Sequence, residues 1–547
     1  MQHLSTFTLF TGFNEKTGRY LLLLLLLLSL SNTFAQNKPV KNVILLIPDG
    51  TSLSAVSAAR WYQRYLHPEQ THLYIDPYLC GTVLTYSSNA PIGDSAPTTS
   101  CYMTGYPSLA GWVATYPPAD PENDIIPMGV YEAYQPVTTL LEAARIIQNK
   151  ATGLVFTCEF PHATPADCSA HSYDRGKYEW IVPQMVHNKI DVVIGGGAGL
   201  LTDNLKTDLL NDGYGVFTND IAGFRNYAGN RMWALFGNRD ISYDLDRDPS
   251  REPSIAEMTA VALDKLSKNE NGFILMVEGS KVDWAAHDND AVGIITEMLA
   301  FDKACGVAFD FAGKNGETVV LVVPDHGNSG FSIGTRRCPN YSTMSKDELF
   351  GPIAQFKATR KALVAKLQKT EPAQLKETVY EWTGISLSDS EYHDLLQAGD
   401  KLDKVVAKVI ENHICFGFTT GGHTGEEVFL AVYDPTPNRL MGHHTNIEVN
   451  HYLRRSLGLP DGALDAITQT YFVKHTDVFK GYSCTINNDG KFPVLKVKHK
   501  KHQLEIPAYT DTILHNGKAV KLNSVVVYVD KNNTFYLPRS IAELLAK

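Results

Sequence analysis

Three short segments of the chain carry side chains of the kinds that bind metal ions. Glu278, Asp283 and His287 form Glu-x4-Asp-x3-His. Asp325 and His326 are adjacent, and His423 lies in the stretch Gly421-Gly422-His423-Thr424-Gly425. Asp49 adds another carboxylate. Imidazole and carboxylate donors without thiolates suit zinc, whereas clusters made only of oxygen suit magnesium. Any one segment alone is ordinary, because solvent-facing carboxylates and satisfied histidines are common. Their recurrence at the ends of apolar runs points to a site for more than one ion.

The segment Asp94-Ser95-Ala96-Pro97-Thr98-Thr99-Ser100 offers a nucleophile. A serine hydroxyl reacts poorly near neutral pH, and metal coordination would lower its pKa and aim it. Ser95 is not set in the Gly-x-Ser-x-Gly elbow of serine hydrolases. Asp94 or Ser95 also suits the cap of a helix beginning near Ala96. The two roles are compatible, since the amino end of a helix favours a phosphoryl group.

The elements that must position these residues follow one grammar. Asn42–Ile47 is an apolar run ended by Pro48-Asp49-Gly50. Similar runs begin at Asp191, Gly272 and Thr318; the last two end in Glu278-Gly279 and Pro324-Asp325-His326. Amphipathic patterns at Ser254–Leu266 and Asp290–Phe309 lie between them. Buried strands alternating with helices predict a three-layer α/β sandwich around a large, mostly parallel sheet. Ligands in such folds bind beyond the carboxyl ends of the strands. Those ends here carry Asp49, Glu278, Asp325 and His326.

Residues 327–412 break the rhythm with polar helical stretches and read as an insertion able to roof the site. From about residue 475 the chain becomes rich in strands, with a basic run Lys496-Val-Lys-His-Lys-Lys-His502. Such alternation is usually the solvated face of a strand, and a polyanion is the other reading. The domains expected are a signal peptide at 1–35, a catalytic domain at 36–474 containing that insertion, and a C-terminal extension at 475–547. The signal rests on Lys16 and Arg19, the leucine run Leu21–Leu28 and the small-residue exit at Ala35. That run is too short to span a bilayer, so the mature chain is expected to be exported, periplasmic or extracellular, without a membrane anchor.

Charged residues make up 20% of the 547, and the net charge of -10 leaves no basic footprint for nucleic acid. The eight cysteines contain no Cys-x-x-Cys pair, which gives no redox or cysteine-rich zinc motif. Cys158 and Cys168 are close enough in sequence to be bridged, although spacing leaves the pairing open.

Taken together, these segments resemble the alkaline phosphatase family. The resemblance runs from about residue 40 to 450. It rests on Ile47-Pro48-Asp49-Gly50, Asp94-Ser95-Ala96, His162-Ala163-Thr164-Pro165-Ala166, Val277-Glu278-Gly279 through His287, Pro324-Asp325-His326 and Gly422-His423-Thr424. The resemblance implies hydrolysis of small phosphate monoesters through a phosphoserine on Ser95. It implies two zinc ions, one held by Asp283, His287 and His423, the other by Asp49, Asp325 and His326. A magnesium ion would be shared by Asp49, Thr164 and Glu278. Arg175, thirteen residues after His162, falls where the family clamps phosphate. The family also implies a homodimer. His162 and Trp284 depart from some members: His162 is expected to order water near the magnesium, and Trp284 to form a pocket wall. Relatives with the same metal set act on diesters, sulfates or phosphonates.

Overall fold

The computed structural model describes residues 40–546, so the expected signal segment at 1–35 lies outside the described residues. Strand β1, Asn42–Ile47, is buried throughout: Val43, Leu45 and Ile47 enter one core, Ile44 and Leu46 another. A strand covered on both faces reads as a continuous apolar run instead of an alternation. Burying each such side chain stabilises the fold by about 1.5–3 kcal/mol.

The same sheet contains β2 (Leu79–Leu84), β3 (Ala151–Glu159), β4 (Val192–Gly196), β5 (Gly215–Thr218) and β6 (Met232–Phe236). It is completed by β7 (Phe273–Glu278), β8 (Thr318–Val322), β9 (Val428–Tyr433) and β10 (Gly442–Thr445). The order is β10-β2-β9-β8-β1-β7-β3-β4-β6-β5. From β8 to β5 every pairing is parallel, while β9 runs antiparallel to both β2 and β8. This is the mostly parallel sandwich expected from the apolar runs. Strand β3 escapes that pattern because Thr152, Gly153, Thr157 and Cys158 interrupt its apolar residues.

Helices cover both faces. Ser254 caps the helix Ile255–Leu266 by accepting from the Glu257 N–H, and Asp290 caps Ala291–Asn315 through the Val292 N–H. The second helix runs past the expected Phe309 and stops at Gly316, whose φ of 71° is left-handed. Helices Lys346–Ala354, Arg360–Leu367, Leu375–Thr383, Asp389–Leu396 and Leu402–His413 occupy the insertion. Leu363, Val379 and Ile410 from these helices pack with Phe416 and with Ala285 beside the site.

The disulfide differs from the pair that spacing allowed. Cys338 is bonded to Cys415, at the two ends of the insertion, where Ser332–Ile333 also pairs with Phe416–Gly417. Cys158 and Cys168 are separate buried thiols. Each is drawn to its own acceptor, Glu278 Oε2 for Cys158 and the Thr164 carbonyl for Cys168.

The C-terminal residues form a five-stranded antiparallel meander from Ser483 to Lys521 and a hairpin of Val527–Val529 with Thr534–Leu537. Leu495 and Val497 are buried while Lys498 is exposed, so the basic run begins on the outer face of a strand and continues through the turn at Lys500 and Lys501. Trp180 stacks on Tyr509, with 5.4 Å between ring centroids, and joins this region to the main body. Among the described residues no helix is long and apolar enough to cross a membrane.

The bond between Cys338 and Cys415 spans 77 residues. In the chain-entropy account, closing a loop of that length contributes about 4 kcal/mol. The double substitution Cys338→Ser with Cys415→Ser is expected to lower denaturant stability by an amount of that order.

Candidate active site

The carboxyl ends of β8, β1, β7 and β3 lie side by side in the sheet. Asp49 follows β1, Glu278 ends β7, Asp325 and His326 follow β8, and His162 follows β3. Register locks this convergence, since Ile47 pairs with Glu278 and Phe156 pairs with Glu278 from the other side. Residues scattered over hundreds of positions therefore share one sheet edge.

Asp283, His287 and His423 form the first cluster. The Nδ1 of His287 is 2.8 Å from the Gly421 carbonyl, and the Nδ1 of His423 is 2.9 Å from the Gly93 carbonyl. A carbonyl only accepts, so both Nδ1 atoms donate. In the neutral rings both Nε2 atoms then carry lone pairs. These Nε2 atoms face each other at 3.1 Å, with Asp283 oxygens 3.4 and 3.9 Å away. Two acceptors cannot hydrogen-bond to each other, and a cation between them removes the conflict. Asn328 donates to Asp283 Oδ1 at 2.7 Å and fixes that carboxylate. Sequence reasoning passed over Asn328, although it stands only two residues after His326.

Asp49, Asp325 and His326 form the second cluster, and all three are fully buried. Oδ1 of Asp325 accepts from the backbone N–H groups of Gly50 and His326, both at 3.0 Å. Its Oδ2 is buried without a partner. His326 Nδ1 donates to the Gly327 carbonyl at 3.0 Å, which leaves the Nε2 lone pair facing the Ser95 hydroxyl. Burial, then the charges of Asp325, Asp283 and Glu278, raise the Asp49 pKa well above the carboxylate range. Burial and the neighbouring Asp325 push Glu278 up to about 8. A bound divalent ion would reverse this crowding of like charges.

The third cluster brings Glu278 together with His162 and Cys158. Glu278 Oε1 is buried without a partner there, as is Thr164 Oγ1 on the short helix Ala163–Asp167 that follows His162. The Cys158 thiol lies 3.3 Å from Glu278 Oε2 and is absent from the oxygen-only set that the family resemblance implies. Its only sequence signal is its place near the end of β3. The donor sets of the first two clusters and the orphaned oxygens of Asp325, Glu278 and Thr164 suit bound cations.

Ser95 is the first residue of the helix Ser95–Thr104 and is buried. Its Oγ lies 3.2 Å from His326 Nε2 and 3.4 and 3.5 Å from the Asp49 oxygens. Asp94 occupies the cap position but makes no capping bond. Its carboxylate instead accepts from Arg175 Nη1 at 2.7 Å and from the Gly111 N–H at 2.8 Å. Burial opposes ionisation of Asp94, yet the Arg175 charge and the Gly111 N–H outweigh it and hold the pKa below its usual value. The capping expectation thus gives way to a positioning contact with arginine, and the first N–H groups of the helix stay uncapped by Asp94.

Arg175 also donates through Nη2 to His162 Nε2 at 3.1 Å. His162 Nδ1 then carries the ring proton, buried and without a partner. Burial, assisted by the Arg175 charge, pushes the His162 pKa down to about 3, so the ring is neutral. Trp284 meets His162 edge to face, with ring centroids 5.7 Å apart.

Cations held by such clusters would bind the folded state alone. Removing divalent ions with a chelator is expected to lower the unfolding temperature, and zinc to restore it. Ligand at 1,000 times its dissociation constant stabilises a fold by about 4 kcal/mol. His423→Ala is expected to lose close to one zinc equivalent by elemental analysis.

A family model described as alkaline phosphatase matches residues 40–459. Alkaline phosphatase 3 of Bacillus subtilis is 31% identical over 432 residues, which cover 75% of this chain and 87% of that protein. Alkaline phosphatase 4 of the same organism is 32% identical, covering 74% and 86%. The crystal structure of a cold-active alkaline phosphatase from Shewanella sp. shares the fold. Its TM-score is 0.67 at 24% identity, covering 77% of this chain and all of that one. The extent of these matches shows that the chain belongs to the alkaline phosphatase family and is a hydrolase of that type.

Proposed function

We propose that this protein hydrolyses phosphate monoesters to alcohol and inorganic phosphate through a phosphoserine on Ser95. The observation that carries this reading is the position of Ser95 Oγ. It sits at a helix amino end, within 3.2–3.5 Å of Asp49 and His326, in a chain whose Arg175 is anchored beside it by Asp94.

Asp283, His287 and His423 would hold one zinc ion, and Asp49, Asp325 and His326 a second. Asp49, Thr164 and Glu278 would hold magnesium. Bound there, divalent ions supply positive charge that eases ionisation of the serine and offsets charge on the transferring group. Ser95 attacks phosphorus in line, and the ester oxygen departs with the bonding electrons. Arg175 keeps a second hydrogen on each terminal nitrogen beyond those given to Asp94 and His162. Its planar fork can therefore engage two phosphoryl oxygens at once. The helix N–H groups face the same negative charge. Water then cleaves the seryl phosphate and releases inorganic phosphate.

Neutral His162 accepts from Arg175 and orients it, and would order water near the magnesium, while Trp284 walls the pocket. Residues 1–35 would be a signal peptide, 36–474 the catalytic domain and 475–547 an extension, in an exported homodimer suited to phosphate scavenging.

Phosphate release from phenyl phosphate, a diester and a sulfate ester tests the reaction class. Turnover is expected with the monoester and is expected to stop with chelator. Ser95→Ala should reduce it by about a thousandfold or more and abolish acid-stable seryl phosphate. A preference for the diester or sulfate would overturn the substrate assignment. Arg175→Ala removes charge-assisted contacts and is expected to lower kcat/KM by about ten- to a hundredfold.

A further inference from the structure

The pocket wall continues outward from the phosphate clamp. Arg175 touches His162, and His162 packs against Trp284. Beyond Trp284 stands Lys361, on the first turn of the insertion helix Arg360–Leu367. Its ammonium is 5.8 Å from the Trp284 ring centroid and 3.8 Å from Asp240 Oδ2. Asp240 is already committed to the buried Lys281, whose ammonium lies 2.5 Å away. Lys361 thus has only a share of the Asp240 carboxylate, and Asp288, which pairs with Arg360, is its other acidic neighbour. The Lys361 side chain, 58% exposed, is the member of this group that solvent or a substrate reaches.

Its backbone is pinned in place. Arg360 is buried, pairs with Asp288 at 3.2 Å and Asp403 at 3.4 Å, and donates its N–H to Asp290 at 2.9 Å. Thr359 donates twice to Asp246. Asp288 and Asp290 follow the metal-ligand candidate His287 within three residues. The insertion is therefore latched to the same turn that carries the site, and it presents Lys361 beside an indole face.

We infer that Trp284 and Lys361 form a leaving-group subsite. It favours phosphate monoesters whose leaving group has a flat or apolar body and ends in a second anionic group, such as a carboxylate. This rests on the monoesterase reading above. The indole covers the body of the leaving group, and the ammonium pairs with the second anion. Lys361 sets specificity and takes no part in the chemical step.

The test compares phenyl phosphate with 4-carboxyphenyl phosphate on the zinc- and magnesium-supplied enzyme, with KM and kcat determined separately. The quantity read is the KM of the carboxylated ester divided by that of phenyl phosphate. Lys361→Ala is expected to raise this ratio about threefold to fivefold, the scale of a partly exposed ion pair. Lys361→Glu should raise it further, and Lys361→Arg should restore it. High salt should shrink the wild-type preference, because exposed charges are screened. An unchanged ratio in both Lys361→Ala and Lys361→Glu overturns the subsite while leaving the hydrolase intact. Turnover of neither ester by the wild type overturns the hydrolase reading and the subsite together.

Discussion

Mutual repulsion at the centre of the sheet edge is the constraint on which the rest depends. Asp49, Glu278, Asp283 and Asp325 converge with the Nε2 atoms of His287, His326 and His423 in a largely buried space. Backbone carbonyls hold all three imidazoles with the lone pair inward. Such an array is unfavourable alone, because buried carboxylates raise one another's pKa and facing acceptors repel. Cations turn the same geometry into binding energy. The core therefore has to hold the array rigid, and the nine-residue strand β3 and its buried neighbours do this from below.

Around that array, each neighbour has a definable part. Asp94 gives up the helix cap to orient Arg175, and His162 braces the guanidinium from the other side. Asn328 fixes Asp283. A hydrogen bond accepted by a positioned neutral ring sets the guanidinium's direction at little electrostatic cost, which explains why neutral His162 suits its place. Cys158 adds a soft atom beside Glu278.

The insertion is more than a surface addition. Its helices share an apolar core with Ala285, which lies between Asp283 and His287 in the chain. The Cys338–Cys415 bond closes the insertion just before the loop leading to His423. Packing and covalent closure together tie the insertion to the segment that carries Asp283 and His287. The C-terminal strands have a separate apolar core built around Leu495, Leu504 and Ile513, and Trp180 is the aromatic link to the body.

Much of this was legible in the chain. The apolar runs of β1, β7 and β8, each ended by ligand-type residues, predicted the sheet and the gathering of those residues at one edge of it, because strands buried on two faces need continuous apolar sequence. Ser95, Arg175 and the ligand residues were named from spacing and family resemblance. Spacing could not reveal the tautomers of His287 and His423, which depend on distant carbonyls. It could not show that Asp94 would prefer arginine to its own helix, or that Cys338 would find Cys415. Nor could it place Lys361 beside Trp284, 77 residues away in the chain. Periodicity and composition are local properties, so the sequence by itself determined the elements and the chemistry they carry. Hydrogen-bond partners, charge neighbours and disulfide pairing depend on which elements pack together, and only the tertiary structure decided those.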